Sequence, residues 1–391
     1  MTPLPDQVLA LGTAAAGAFE TAVELFSLLM AALIATLAAG PVVRRIAVSY
    51  SLYDRPDAGL KPHEKPIPFL GGLALYVGWL AAILLGLIFH PVLNTESIWI
   101  ALGGSVLLLT GLIDDIRHLR PMSRLTIQTL VAFTLLPAGV GQGVAVSLSG
   151  SIFPPWGDAL FGGWVGFCLD ALFCVLVLAG SVNATNLIDG LDGLCSGIVA
   201  ITAIGFLAVF ALLGQGLIDA PTALLVPIVS IGILGACLAF LKFNFNPASL
   251  FMGDSGSMLL GFSVAIVIIL MTRLASWHGF IASVTVFGFP IFDTALAIGR
   301  RRLNRRPLFI GDRSHFYDQI RDRGLTVRKT VLACYGLGLV FAVVGAAMTC
   351  LPGLVLAPFG MAIALIAILL CRRYGFLRVD DSAERSATSQ K

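Results

Sequence analysis

Charge is what this chain has least of. Asp, Glu, Lys and Arg make up 12% of its 391 residues and hydrophobic residues 58%, whereas a soluble domain is roughly 25% charged. That excludes a soluble globular protein. No polar stretch is long enough to fold as a soluble domain; the longest are 43–67 and 300–328. Cysteine chemistry is also missing. The seven cysteines, Cys168, Cys174, Cys237, Cys334 and Cys350 among them, lie inside apolar runs, and none has CxxC or Cys/His spacing. They read as small apolar packing residues rather than as a zinc site or a disulfide scaffold. The first twenty residues lack a basic n-region and contain Asp6 and Glu20, so a secretory signal peptide is not expected. There is no internal repeat.

What remains is a series of apolar stretches of about 17–25 residues, each long enough to cross a ~30 Å hydrocarbon layer. Eleven are read: 21–42, 68–90, 97–113, 125–141, 164–184, 194–214, 221–241, 256–273, 277–299, 329–350 and 354–371. The fourth is the weakest, with Thr126, Gln128, Thr129, Thr134 and Pro137 inside it. The expected class is therefore an all-α integral membrane protein, a single polytopic domain over 1–391 with a polar tail at 379–391. The segment 142–163, rich in Gly, Pro and Ser, reads as turns or a hairpin.

The few charges are asymmetric. With eleven spans, the loops after spans 1, 3, 5, 7 and 9 share one side with the C-terminus. That side holds 24 of the 25 Lys and Arg, and Arg273 alone lies opposite. Cytoplasmic loops carry the excess of Lys and Arg, so this side is read as cytoplasmic and the N-terminus as outside.

The polar motifs fall on the same side. Asp114 and Asp115 end span 3, and Asn183-Ala-Thr-Asn186-Leu-Ile-Asp189-Gly-Leu-Asp192-Gly-Leu ends span 5. Asn244-Phe-Asn246-Pro-Ala-Ser-Leu-Phe-Met-Gly253-Asp254-Ser-Gly256-Ser257 joins spans 7 and 8. The loop after span 1 brings Asp54, Lys61, His63 and Pro66-Ile-Pro68-Phe-Leu-Gly71-Gly72. The loop after span 9 brings Arg300, Arg301, Arg302, Arg305, Arg306 and Asp312-Arg313-Ser314-His315. Ionisable groups at the edge of a hydrocarbon layer are costly and mark function by default. The loops 43–67, 114–124, 185–193, 242–255 and 300–328 are read as one active site. Carboxylates beside glycines suit Mg²⁺, which takes one or two carboxylates and fills its remaining positions with phosphate oxygens and water. The start of span 8, a helix N-terminus with free N–H groups, suits phosphate, and the arginines supply counter-charge. The chemistry this favours is metal-assisted phosphoryl transfer.

Together these segments resemble the polyprenyl-phosphate N-acetylhexosamine-1-phosphate transferase family, bacterial glycosyltransferases of family 4. The likeness runs from about Asp54 to His315, with motifs in matching order. It implies transfer of a sugar 1-phosphate from a UDP-sugar to undecaprenyl phosphate, releasing UMP and starting a cell-envelope polysaccharide at the cytoplasmic face of the bacterial inner membrane. The implied donor is UDP-GlcNAc, with other UDP-N-acetylhexosamines or UDP-MurNAc-pentapeptide as alternatives. The implied cofactor is Mg²⁺, with Mn²⁺ as a substitute, and no nucleic acid is involved. Carried over by position, Asp114, Asp115, Asn186, Asp189 and His315 would be catalytic. Asp254, with Asp114 and Asp115, would hold the metal. Lys61, His63, Asn183, Asp192, Asn246, Ser257, Arg301, Arg305 and Arg313 would bind substrate. The chain departs from the family at the final motif, usually H-x-H-H: His315-Phe316-Tyr317-Asp318 keeps only the first histidine.

Other readings attach to single residues. Asp114 and Asp115 would also be explained as a helix-end pair balanced by Arg117 and Arg120, and Asn183 as an interhelical hydrogen bond. His90, His118 and His278 have no motif around them. Asp170 reads as structural, and Asp293 either answers Arg300 or faces the site. A transporter or flippase is the competing class, but carriers gather polar groups near the midplane at repeated, broken helices, not at one face.

Overall fold

Apolar runs this long leave the backbone no partners but itself, and in a hydrocarbon setting helices satisfy every N–H and C=O internally. The structure, a computed structural model, describes residues 6–54, 66–150, 161–213, 221–304 and 315–376. It is almost wholly helical. The helices are α1 (Asp6–Ser49), α2 (Gly71–Phe89), α3 (Asn94–Arg117), α4 (Pro121–Leu135), α5 (Val144–Gly150), α6 (Gly163–Leu187) and α7 (Leu194–Leu213). They continue with α8 (Leu225–Asn244), α9 (Gly253–Val286), α10 (Gly288–Leu303), α11 (Phe316–Asp322), α12 (Val327–Met348) and α13 (Gly353–Arg373). Two short strands, β1 (Tyr53–Asp54) and β2 (Ile67–Pro68), pair antiparallel.

Among the described residues, eight helices are long and apolar enough to cross a membrane. Three expected spans are not among them. The fourth is the 15-residue helix α4, which stops at Leu135. The ninth is divided: α9 loses helical geometry at Ala275 and Ser276, and a second helix, α10, begins at Gly288. Pro290 falls in the first turn of α10, where a missing N–H costs nothing. The eleventh is α13, with Pro358 inside it.

α9 is the axis of the bundle. Its most apolar window is 83% buried, against 28% for the first membrane-length helix. α2, α3, α6, α7, α8 and α12 all pack on it. Close approach is possible because small residues face it. A side chain at Gly111 of α3 would collide with the backbone of Ser255, and one at Gly261 would collide with the backbone of Val182 on α6.

Of the region 142–163 expected as turns or a hairpin, 151–160 lie outside the described residues, and 144–150 form a helix instead, α5. Asp170 of α6 causes it, accepting hydrogen bonds from the N–H groups of Gly143 (2.8 Å) and Ala145 (2.7 Å) at its start. Those first N–H groups have no intrahelical partner, so a carboxylate from a neighbouring helix caps them. At this end of the bundle Arg273 also donates to the Gly139 carbonyl. The opposite end gathers the polar loops.

Candidate active site

At that opposite end, α3, the turn after α6, the end of α8 and the start of α9 surround a cavity of about 360 Å³. Asp115, His118, Asn186, Asp189, Asp192, Asn244 and Asp254 supply its polar lining, with Asp54 and the aromatic residues Phe69 and Phe251 at one wall. That wall is built by strand pairing. Phe69 bridges Phe251, the Phe251 N–H donates to the Pro68 carbonyl (2.9 Å), and the Gly71 N–H donates to the Phe251 carbonyl (2.8 Å).

Adjacent helical positions point about 100° apart, so Asp114 and Asp115 serve different neighbours. Asp115 faces the start of α9 and accepts from the N–H groups of Asp254 (2.7 Å) and Ser255 (3.3 Å). Gly253 makes this approach possible. Its φ is +68°, and a Cβ there would collide with the Asp115 carboxylate. These N–H groups are the ones the sequence left open for phosphate. They are occupied by Asp115, which caps α9 from another helix.

Asp114 is buried beside the cavity rather than on its lining. One oxygen accepts from the Leu119 N–H (2.6 Å), the other from Arg124 Nη1 (2.7 Å). Arg124 Nη1 also stands 3.5 Å from Asp254 Oδ2. The other Asp254 oxygen accepts from Asn186 Nδ2 (2.7 Å), which also donates to Ser257 Oγ (3.0 Å). Asn186 therefore ties the end of α6 to the first turn of α9.

Asp189 is different. Among the described residues its carboxylate accepts no hydrogen bond and meets no cation. Burial, and then the carboxylates of Asp254, Asp115 and Asp192, push its pKa well above the usual carboxylate range. Carboxylates crowded this way favour either a proton or a bound cation. Asp115, Asp189 and Asp254 face one cavity with oxygen donors of the kind Mg²⁺ takes, but among the described residues no three His, Cys, Asp or Glu side chains stand together closely enough to hold a metal ion by themselves. Mg²⁺ keeps several waters and needs few protein ligands.

Other sequence-derived positions brace the site. Asp192 Oδ2 accepts from Asn246 Nδ2 and the Ala248 N–H, both at 3.0 Å. Asn244 Oδ1 accepts from the Gly193 N–H (3.1 Å), and its Nδ2 donates to the Leu250 carbonyl (3.2 Å). His315 is buried away from the cavity lining, its Nδ1 2.7 Å from Asp293 Oδ2, and the Phe316 N–H donates to Asp293 Oδ1 (2.7 Å). Asn183 is not brought to the cavity. Its amide donates to Gln128 Oε1 (3.1 Å) and to the Ala179 carbonyl (2.7 Å), an interhelical bond between α6 and α4. Arg301 lies half-buried in the last turn of α10. Lys61, His63, Arg305 and Arg313 lie outside the described residues.

Two residues of this site carry no motif in the sequence. His118 lines the cavity from a left-handed conformation, φ 50°, that ends α3. Its spacing of three from Asp115 was the available signal. Arg124, rather than Arg117 or Arg120, neutralises Asp114, because the chain turns at His118–Arg120 and Pro121 restarts the helix alongside.

Residues 97–272 match the family model described as glycosyl transferase family 4. The chain is 31% identical over 325 residues, 83% of its length and 85% of the relative's, to a probable undecaprenyl-phosphate N-acetylglucosaminyl 1-phosphate transferase of Bacillus subtilis. It is 32% identical over 333 residues, 78% of each chain, to the decaprenyl-phosphate N-acetylglucosaminephosphotransferase of Mycolicibacterium smegmatis. It is 30% identical over 324 residues, 78% of its length and 90% of the relative's, to the phospho-N-acetylmuramoyl-pentapeptide-transferase of Bacillus cytotoxicus.

Proposed function

The chain belongs to glycosyl transferase family 4, and from that membership we propose that it transfers GlcNAc-1-phosphate from UDP-GlcNAc to a polyprenyl phosphate such as undecaprenyl phosphate, releasing UMP. The observation that carries this reading is the convergence of Asp115, Asn186, Asp189 and Asp254 on one cavity. Transfer of a phosphate-linked sugar between two anions needs a place where negative charges can be held together, and this is one.

In this reading Asp115, Asp189 and Asp254 would offer carboxylate oxygens to a Mg²⁺, which when bound would supply charge neutralisation at the phosphates. The protein's own residues orient and fix. Asn186 holds the Asp254 carboxylate through Oδ1, Arg124 holds Oδ2, and Asp192 secures the 246–248 loop. A phosphate monoester has its second pKa near 6, so the lipid phosphate is largely dianionic at neutral pH and needs little help from a general base. Its oxygen attacks the sugar-bearing phosphorus in line. One P–O bond forms there, the P–O bond to UMP breaks, and the electron pair leaves with UMP. The competing route is a covalent phospho-aspartate at Asp114 or Asp115. Against it, all four of their carboxylate oxygens are engaged by N–H donors.

The arginine-rich end is proposed to face the cytoplasm of the bacterial inner membrane, with eleven traversals, the N-terminus outside and the product feeding envelope polysaccharide synthesis. The likeness to the Bacillus cytotoxicus relative keeps UDP-MurNAc-pentapeptide as the second donor. The full-length protein, given UDP-GlcNAc, undecaprenyl phosphate and Mg²⁺, should release UMP. EDTA should stop release and Mg²⁺ restore it. Asp254→Asn should lower kcat by about 10²- to 10³-fold, the usual cost of losing one preorganised charge-stabilising group. Normal turnover by that variant would overturn the metal assignment, and turnover with UDP-MurNAc-pentapeptide alone would move the protein to the other donor.

A further inference from the structure

The altered final motif has a structural counterpart. Tyr317 stands where the family's H-x-H-H run has its second histidine, and it reaches the turn that carries Asp189. Tyr317 is buried, and its hydroxyl donates to the Leu187 carbonyl (3.1 Å). Leu187 is the last residue of α6, so its carbonyl has no intrahelical donor. The Tyr317 ring is held on two sides. It stacks parallel on the His315 imidazole, with centroids 5.4 Å apart and planes 5° apart, and His315 is fixed by Asp293. On the other side the hydroxyl and ring edge fill the space that a Cβ at Gly190 would occupy.

A second tyrosine treats the other end of the turn in the same way. The Tyr335 hydroxyl on α12 donates to the Gly193 carbonyl (2.5 Å), and its ring occupies the space a Cβ at Gly197 would need. Gly193 is fixed from its other side by Asn244, which accepts its N–H. Between these two ties lie six residues, 188–193, including Asp189 and Asp192. Asn186 is one position before the first tie. Both tyrosines lie outside the segment 97–272 that matches the family model.

The Asp189 carboxylate has no hydrogen bond of its own among the described residues, so its position is set by the backbone of this turn. Phosphoryl transfer needs its charged groups placed to within about 0.5 Å, and an error of 1 Å costs about 10²-fold in rate. We propose that Tyr317 and Tyr335 are positioning residues for the transfer reaction, clamping the two ends of the 188–193 turn through the Leu187 and Gly193 carbonyls so that Asp189 and Asn186 face the cavity. This rests on the transfer reading above.

The test uses full-length Y317F, Y335F and the double variant, which keep the rings and remove one or both hydroxyls. Two readouts are taken: hydrogen exchange of peptides spanning 186–194, and kcat and KM for UDP-GlcNAc with undecaprenyl phosphate. Each single variant should exchange faster at 188–193 than wild type, with other helices unchanged. Its kcat should fall by about 3- to 10-fold, the effect of one neutral hydrogen bond, with KM within twofold. Wild-type exchange in the turn, or faster exchange with unchanged kcat, or a rise in KM at constant kcat, would overturn the clamp. Gly190→Ala adds an independent check, since its methyl group collides with Tyr317. Its effect should be strong in wild type and small in a Y317A background, whereas additive effects would show that the ring does not press on the turn. If wild type turns over no UDP-sugar, the transfer reading fails. The exchange data and the Gly190–Tyr317 cycle, read by thermal stability, then still decide the clamp.

Discussion

Arg124 shows how much one side chain controls here. Its Nη1 bonds the buried Asp114 at 2.7 Å and stands 3.5 Å from Asp254. Removing one partner of a buried pair leaves a charge with no compensation, typically at about 3–5 kcal/mol. Arg124→Ala should therefore lower the thermal midpoint in detergent markedly and slow turnover, and adding Asp114→Asn should recover part of the stability. Equal midpoints for Arg124→Ala and the double variant would show that Asp114 is not the partner that matters. Asp318 carries a different liability. Burial raises its carboxyl to about 6, with Arg321 and His315 pulling the other way. A raised folded-state pKa means that stability is full below the unfolded value of about 3.9 and is lost as pH rises through about 6. Asp318→Asn should thus stabilise the protein by on the order of 2 kcal/mol at pH 8 and make little difference near pH 4. A melting series across that range checks the sign. Single-residue roles were partly legible beforehand. A lone Asp-Asp pair announces that a counter-charge is needed, and Arg117 and Arg120 stand nearest in sequence. The turn that brings Arg124 round instead depends on His118 adopting a left-handed conformation, which no local pattern reveals.

At the scale of elements, the site is a consequence of how closely helices approach α9. Gly111 meets the Ser255 backbone and Gly261 meets the Val182 backbone, which sets the separations among Asp115, Asp254 and Asn186. Gly261→Val would force α6 and α9 apart by more than the length of the Asn186–Asp254 hydrogen bond can absorb. Turnover should drop at least 10-fold, and overpacking should cost about 1–3 kcal/mol. A conservative change at Gly336, where no heavy atom other than its own helix lies within 4 Å of an added Cβ, is the control. Most helices were legible because burial in hydrocarbon is written as an uninterrupted apolar run, and the run boundaries survive in eight membrane-length helices. What the run cannot show is a helix broken by packing. The break at Ala275–Ser276 falls between two expected spans, but the second division at Phe287 lies inside one. It falls where Gly288 and Pro290 open a new helix, with no loss of hydrophobicity in the run. α5 was hidden for a related reason: its cap, Asp170, is 25 residues away in sequence from Ala145.

The whole molecule has two unlike ends. One carries the cavity with Arg117, Arg120 and Arg124 beside it; the other carries Arg273, Asp170 and the capped helix α5, and the eleven-span reading of the sequence assigns 24 of 25 Lys and Arg to the first. Moving one elementary charge across a potential of 100 mV costs about 2.3 kcal/mol, so a chain with this imbalance has a strong preferred orientation. The proposed sidedness can be read directly. In a variant with its seven cysteines replaced, Trp164→Cys places a thiol at an exposed position at the start of α6, while Arg120→Cys places one at an exposed position beside the cavity end of α3. α6 has 25 residues, which at 1.5 Å per residue separates its ends by about 37 Å. A membrane-impermeant maleimide should label Trp164→Cys in intact spheroplasts and label Arg120→Cys only after permeabilisation. The reverse pattern would turn the site outward and remove its access to a cytoplasmic nucleotide sugar. Labelling of both from one side would break the link between charge asymmetry and topology. A fluorescent protein fused after Lys391 should fluoresce if the number of traversals is odd and the N-terminus is outside. Loss of fluorescence with the expected maleimide pattern would mean that the traversal count is even, and α13, whose helix contains Pro358, is the element that would then lie along the surface instead of crossing.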